Sequence, residues 1–376
     1  MEKINNKEAI SLIVSSSLGI TVLVASQIIA STCLSSSLIN TGVISIISLA
    51  LTVIICALYK KFIGISFLDI TEYFGGKFLK FIVGLIFLSY FLFSSAIVLC
   101  KAVNTLQIVY YPMTNISYIV LLFVFTTAFA CNSKNNGFLR ATFMIVPVVI
   151  IAIFFIFAGN LKNFNYENIF PILGNGWNAT LGIGLTNLYT FGGIAYLFFV
   201  PQNLKRPDKF MSISVISTIT SSILLTLTIA TIILMFNRNV TSGQLFPLYI
   251  AVRYIEFGTF FQRLDAAFLL IMNIAICSFL GIYGNLCLGI IKEITGITNS
   301  KPLSYPLILL LYAITVFIDS FFELGFIQDI VFKILFFSVV ALGILILIFA
   351  NIKRRILSRK EIIWIKICLN SMQLLC

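Results

Sequence analysis

The sequence predicts an all-α polytopic membrane protein, in which ten transmembrane helices form a five-plus-five inverted repeat with broken first and sixth helices. Three observations predict this fold class. Hydrophobic residues make up 60% of the 376 residues and charged residues only 10%, and the mean hydropathy is +1.08. Lysine and arginine alternate between the predicted loops, and glycines interrupt two apolar stretches that the repeat makes equivalent. Because a soluble domain carries about 25% charged residues, this composition excludes a soluble protein.

Apolar stretches long enough to cross a bilayer recur along the whole chain. A transmembrane helix needs about 20 mostly apolar residues to cross a hydrocarbon core of about 30 Å. We predict ten spans, at approximately Ala9–Thr32, Leu38–Leu58, Phe81–Cys100, Ile116–Cys131, Phe138–Gly159, Ala179–Val200, Ser212–Phe236, Ala266–Ile291, Tyr305–Phe321 and Ile327–Ile352. They form one permease-like domain over residues 1–355, with repeat one at about 9–159 and repeat two at about 179–352, followed by a short basic cytoplasmic tail over 356–376.

The positive charges predict the orientation. With the N-terminus in the cytoplasm, 19 of the 25 lysines and arginines fall on cytoplasmic segments and 6 on outer segments. Cytoplasmic loops of membrane proteins are enriched in these residues, so both termini are predicted to be cytoplasmic. The formal net charge of +12 then needs no nucleic-acid partner, because the bilayer and its anionic lipids account for it. The six outer residues are Lys101, Lys162, Arg238, Arg253, Arg263 and Lys333.

The reactive residue types argue against an enzyme, a metal site and a cofactor. The chain has no histidine, and its 8 cysteines are scattered without a CxxC pair. Histidine is the commonest metal ligand and general base, and paired cysteines mark zinc sites or disulfide frameworks. The sequence also lacks a Walker-type phosphate loop. We therefore predict a membrane protein that is not an enzyme and that binds no cofactor.

The first predicted span and the following inner loop each have a distinctive composition. The span carries a single glycine, Gly19, flanked by serine and threonine. The loop Lys60–Lys80 mixes aromatic residues with lysine, aspartate and glutamate, which is typical of an amphipathic helix on the cytoplasmic surface.

The stretch Ile169–Pro201, which contains the sixth span, is apolar but interrupted by the pair Gly192 and Gly193. Two interpretations of this pair are open. It is either a glycine-lined face for close helix packing or a break whose exposed backbone lines a binding cavity. An inverted five-helix repeat makes the first and sixth spans equivalent, and both carry glycine. This correspondence favours the broken helix.

The central parts of the predicted spans contain no Asp, Glu, Lys or Arg, which argues against strong proton coupling. A small zwitterion is still a possible ligand, because half-helix ends bind carboxylate and ammonium groups through the helix dipole. A polar side chain at mid-span depth is by itself more often an interhelical hydrogen bond than a ligand contact. Such a side chain is therefore predicted to contact the ligand only where several of them converge on the glycine breaks. The predicted ligand-binding residues are Leu18, Gly19, Ile20, Thr21, Tyr90, Ser94, Thr190, Phe191, Gly192, Gly193, Phe279 and Tyr283.

Four stretches of the sequence are similar to the endospore germination permease family, the B subunits of GerA-type nutrient germinant receptors. They are Phe62–Lys80, Gly137–Arg140, Asn168–Trp177 and Phe246–Ala266, the last ending in an Arg-Leu-Asp sequence. The chain departs from the family pattern at three places. Gly137–Arg140 lacks the acidic residue that the family tends to have between Gly and Arg. No proline follows Gly19 in the first span, and the eighth span lacks the expected tryptophan and lysine.

The resemblance implies a fold, partners and a function. That family lies in the amino acid–polyamine–organocation superfamily, which implies the five-plus-five repeat. It further implies a subunit that binds a small nutrient, such as an amino acid, and signals germination with A-type and C-type receptor subunits in the inner membrane of the spore. The departures leave two alternatives open: a secondary transporter of amino acids or related amines, and a structural membrane subunit without its own ligand.

Overall fold

The computed structural model describes residues 4–21, 26–133, 135–174, 176–237, 246–255, 264–297, 301–321 and 333–373. Within these ranges the chain is helical, and its one β-type contact is a parallel bridge between Ile4 and Leu204. The all-α prediction is confirmed for this part of the chain. Arg263, which begins the Arg-Leu-Asp sequence, lies outside the described residues.

The α-helices of the described ranges are numbered in chain order. They are α1 (Asn6–Ile20), α2 (Ser26–Cys33), α3 (Ser37–Tyr59), α4 (Phe67–Tyr110), α5 (Ile116–Asn132), α6 (Asn135–Gly159), α7 (Gly193–Tyr196), α8 (Phe210–Met235), α9 (Pro247–Arg253), α10 (Leu264–Thr295), α11 (Ser304–Phe321) and α12 (Phe336–Gln373). Short 3₁₀ or π turns occupy Leu34–Ser36, Leu161–Asn163, Tyr166–Ile169, Asn178–Gly182, Ile183–Thr190, Leu197–Phe199, Pro201–Asn203, Pro207–Lys209 and Lys301–Leu303.

In the described ranges, seven helical stretches are long and apolar enough to cross a membrane, so the chain is a multi-pass membrane protein. An eighth span is obtained if the bent pair Asn178–Thr190 and Gly193–Phe199 is counted as one. The seven stretches are Leu34–Tyr59, Phe67–Tyr110, Gly137–Gly159, Pro207–Met235, Leu264–Thr295, Lys301–Asp319 and Lys333–Arg355.

Two predicted spans coincide with shorter helices. The first corresponds to α1 and α2, and residues 22–25 between them lie outside the described part of the chain. The fourth corresponds to α5, an apolar helix of 17 residues. The ten-helix inverted repeat therefore stays a prediction.

Helix α4 differs most from its predicted bounds. It runs for 44 residues with a kink at Gly76, and the part after the kink alone extends for about 51 Å, which is longer than the hydrocarbon core of about 30 Å. The Ser66 side chain caps its first turn by accepting a hydrogen bond from the Asp69 backbone N–H at 3.0 Å. Gly76, with φ +81°, then interrupts the helical backbone. This conformation favours glycine, and it divides α4 into a short arm over residues 67–75 and a long arm over residues 77–110.

The long arm of α4 and α10 form the centre of the bundle. These two helices pack against each other, and α4 also contacts α5, α11 and α12. On the other side, α1 packs against α6, α7, α8 and α10, and α3 packs against α8. The ends of α1 and α7 therefore meet between the two long helices.

Candidate functional site

The sixth predicted span is broken at the position of its glycine pair. The pieces Asn178–Thr190 and Gly193–Phe199 are bent by 49° with respect to each other. Phe191, at the bend, has φ −85° and ψ 55°, which is outside the helical region. The predicted discontinuity is therefore present in the backbone.

Gly192 lies where four predicted spans meet. A Cβ atom built on it would lie 3.1 Å from the Tyr283 hydroxyl and 3.3 Å from the Tyr90 hydroxyl, and it would overlap the Cδ1 atom of Ile20. The absence of a side chain at Gly192 thus allows α1, α4 and α10 to approach the break closely. A packing role for this glycine and a position in a binding site are both consistent with this geometry.

Aromatic rings fill the space around the break. The ring centroids of Phe279 and Tyr283 are 4.2 Å apart, and Phe91 lies 5.0 Å from Tyr283 and 5.2 Å from Tyr90. A Cβ atom on Gly19 would lie 2.7 Å from the Phe279 ring. All four rings are buried. The backbone comes close to them at Gly19 and at Gly192.

Some polar groups around the break are bonded to other parts of the protein. The Tyr283 hydroxyl donates a hydrogen bond to the carbonyl oxygen of Ser16 at 3.3 Å. The backbone N–H of Gly193 donates to Oγ of Ser17 at 3.1 Å. These two bonds tie the end of α1 to α10 and to the start of α7.

Three other hydroxyls are buried without a hydrogen-bond partner among the described residues, namely those of Tyr90, Ser94 and Thr190. The hydroxyls of Ser94 and Tyr283 are the polar neighbours of the Tyr90 hydroxyl, but neither contact meets the distance and angle of a full hydrogen bond. Leaving a buried polar group unpaired costs about 1–3 kcal/mol. A polar ligand that supplied the missing partners would recover part of this free energy.

The structure brings most of the predicted residues together, with one clear exception. Thr190, Phe191, Gly192 and Gly193 form the break itself, and the neighbouring predicted residues on the other helices are Gly19, Ile20, Tyr90, Ser94, Phe279 and Tyr283. Leu18 instead packs into a separate apolar cluster with Val14 and Val149. It lies next to Gly19 in sequence, but the helical rotation turns it toward a different part of the core. Thr21 is buried at the end of α1.

Three cavities, of ≈ 60, ≈ 300 and ≈ 690 Å³, lie in the described part of the chain, and none of the twelve predicted residues lines any of these three. Tyr196 and Ile282, which are close in sequence to Gly193 and Tyr283, contribute to the wall of the cavity of ≈ 60 Å³. At Gly192 itself, Ile20, Tyr90 and Tyr283 occupy the space that a Cβ atom would take. Ligand binding there would therefore require some of these side chains to move.

A second polar cluster joins α3 to the first half of the broken span, Asn178–Thr190. The Asn40 side-chain amide donates to the carbonyl oxygen of Thr180 at 2.9 Å, and Asn187 donates to Oδ1 of Asn40 at 3.1 Å. The Thr180 hydroxyl donates to Oγ of Ser36 at 2.8 Å. A Cβ atom on Gly184 would overlap Asn40, which explains that glycine by close packing. Sequence reasoning did not single out Asn40, although an amide inside an apolar span is a visible signal.

Sequence reasoning also placed Lys101 in an outer loop, whereas the structure places it inside α4 with 5% exposure. Nearby, the Asn104 amide donates to Oδ1 of Asp319 at 3.3 Å, and this carboxylate also accepts from the Cys100 thiol at 3.9 Å. The sequence signal for the burial of Lys101 is that the apolar pattern of the span continues from Cys100 to Tyr110 without a helix-breaking residue. Lys101 is thus a buried ionisable group on the helix that contains the third predicted span, beyond the predicted boundary of that span.

Comparison with known proteins identifies one family. A protein family described as "Spore germination protein", the spore permeases, matches residues 3–325 of the chain. No curated protein matches the sequence.

Proposed function

Because the chain belongs to the spore germination permease family, we propose that it is the permease-like subunit of a spore nutrient germinant receptor and not an enzyme. It binds a small nutrient, an amino acid, within the membrane and signals germination. The proposal includes A-type and C-type receptor subunits as partners, the inner membrane of the spore as location, and cytoplasmic termini. It also includes the ten-helix fold of the amino acid–polyamine–organocation superfamily.

One observation supports this site above all others: the hydroxyls of Tyr90, Ser94 and Thr190 are buried beside a backbone break and have no hydrogen-bond partner in the described part of the chain. In native proteins nearly all buried polar groups have a hydrogen-bond partner, so a buried hydroxyl without one needs an explanation. A zwitterionic ligand has both hydrogen-bond donors and acceptors and satisfies hydroxyls of either orientation. No charged side chain is needed at the site.

The packing suggests how binding becomes a signal. The space at Gly192 is occupied by Ile20, Tyr90 and Tyr283, so a bound nutrient must displace at least one of these side chains. Because they belong to α1, α4 and α10, this displacement changes how the three helices pack on the broken span. A ligand that binds only the displaced arrangement shifts the population toward it, and the partner subunits respond to that arrangement.

Substituting Gly192 tests the site. We expect Gly192→Leu to abolish germination by the nutrient while leaving the protein in the spore membrane, because leucine fills the space that the ligand requires. Gly42→Leu is the matched control, since a Cβ atom there meets nothing within 4 Å. The measurement is nutrient-triggered germination of a deletion strain that carries each variant, with an immunoblot of spore membranes. Absence of the Gly192 variant from the membrane would support a packing role for this glycine.

A secondary transporter is the second candidate, and Lys101 is the observation that favours it. Proton-coupled transporters place ionisable groups within the membrane, and Lys101 is buried inside α4. Uptake of radiolabelled amino acids into proteoliposomes that contain only this chain would establish transport. A deletion strain that loses germination to one nutrient but keeps vegetative uptake of it would support the receptor.

A further inference from the structure

The short arm of α4 packs on the inner end of the broken span. The Phe67 ring lies 5.0 Å from Phe198 and 6.1 Å from Phe199, and 5.2 Å from Phe87 on the long arm. Phe67 and Phe198 are fully buried. One face of residues 67–75 is therefore fixed to the protein, and the opposite face is left for other contacts.

The acidic residues of the inner loop are neutralised within it. Lys80 Nζ lies 2.7 Å from Oδ1 of Asp69 and 2.9 Å from Oε2 of Glu72. These are the only two carboxylates between Lys60 and Lys80. The turn at Gly76 brings Lys80 back toward the first turns of the short arm, so a single lysine pairs with both acids.

The inner end of α12 holds the two ends of this loop together. Lys353 Nζ donates to the carbonyl oxygens of Tyr73 and Phe74, at 2.7 and 3.2 Å, and caps the end of the short arm. The Arg354 guanidinium donates to the carbonyl oxygen of Lys61. The start of the loop and the turn at Gly76 consequently lie around the same helix end.

Three lysines remain on the outer face of this arrangement. Lys60, Lys61 and Lys77 are exposed, and their side chains make no hydrogen bond or ion pair with any described residue. Phe78, adjacent to Lys77, is 77% exposed, and the apolar part of α4 begins within one turn of it. We call Lys60, Lys61, Lys77 and Phe78 the inner-surface patch.

We propose that the inner-surface patch binds anionic phospholipid headgroups of the inner leaflet. Exposed aromatic residues next to lysines are typical of segments that lie in the membrane interface. Each lysine near an anionic bilayer contributes about 1 kcal/mol of attraction, and this attraction decays within about 10 Å. The patch is expected to lie within this distance of the bilayer surface, because it directly precedes a membrane-crossing helix. A soluble acidic partner is less well matched, since Phe78 would stay exposed to water.

Lipid retention by the purified chain tests this proposal independently of any nutrient. The chain is extracted, given equal amounts of phosphatidylglycerol and phosphatidylcholine in detergent, and examined by native mass spectrometry. We expect the wild-type chain to retain phosphatidylglycerol preferentially. The triple variant Lys60→Gln, Lys61→Gln and Lys77→Gln should lose this preference by about fivefold for each lysine. Since all three side chains are exposed, the variant should fold normally.

The matched control removes the same charge from a neighbouring inner loop. Lys205, Arg206 and Lys209 are also exposed, and their change to glutamine should leave the preference nearly intact. Replacing the patch lysines with arginine should preserve binding, and Phe78→Ser should weaken retention of both lipids. An equal loss in the patch and control variants would attribute binding to net charge and overturn the proposal. Unchanged retention in the patch variant would overturn it as well.

Discussion

The two tyrosines that face Gly192 differ in how their hydroxyls are used. Tyr283 donates to the carbonyl oxygen of Ser16, whereas the Tyr90 hydroxyl is buried with no hydrogen-bond partner among the described residues. The Tyr283 hydroxyl holds α10 against α1, whereas the Tyr90 hydroxyl can form a hydrogen bond with a ligand. Both residues were predicted from their depth in the spans. Their different roles were not predictable, because they depend on side-chain geometry.

This difference gives opposite expectations for the two Tyr→Phe variants. Tyr90→Phe removes an unpaired hydroxyl, so we expect an unchanged or slightly higher free energy of unfolding. Loss of a hydrogen bond to the nutrient, worth about 0.5–1.5 kcal/mol, should raise the half-maximal nutrient concentration for germination by about three- to tenfold. Tyr283→Phe should instead lower the free energy of unfolding by about 1 kcal/mol. Equal sensitivity of germination and stability in both variants would contradict this assignment.

The broken span is held by different interactions in its two halves. Its second half, Gly193–Phe199, packs through Phe198 and Phe199 against Phe67 and Phe87. Its first half, Asn178–Thr190, is held by hydrogen bonds from Asn40 and Asn187. Apolar packing tolerates small displacements more readily than a directional amide network. We therefore expect the first half to be the fixed half and the second half, next to the short arm of α4, to be the half that moves.

Asn40 tests the fixed half. Asn40→Ala removes the side-chain donor to the buried carbonyl of Thr180 and leaves the Asn187 amide only its longer hydrogen bonds to Thr32 and Cys33, so we expect the free energy of unfolding to fall by about 2 kcal/mol. Ser45→Ala, on the same helix, is the control. Its buried hydroxyl has no partner among the described residues, so the expected change is below about 0.5 kcal/mol. Equilibrium unfolding in mixed micelles measures both values, and a similar loss in both variants would contradict the role of Asn40.

At the scale of the whole molecule, the sequence predicted the all-α class, the break at Gly192 and the convergence of four segments on it. These features depend on the hydrophobic composition and on the positions of the glycines, and both can be read directly from the amino-acid sequence. The orientation of Leu18 into a second core depends on the exact helix end, which hydropathy does not define. The burial of Lys101 was missed because a lysine was taken as the end of a span, whereas α4 continues to Tyr110. The occupation of the space at Gly192 by Ile20, Tyr90 and Tyr283 depends on side-chain rotamers, which no sequence pattern indicates.

The most direct measurement is nutrient binding to the purified chain with and without space at Gly192. A germination screen of the deletion strain first identifies the nutrient, and isothermal titration calorimetry then measures its binding. We expect saturable binding to the wild-type protein and to Gly42→Leu, and none to Gly192→Leu with the same folded content by circular dichroism. Undiminished binding to the folded Gly192→Leu variant would show that the nutrient site is not at the broken span.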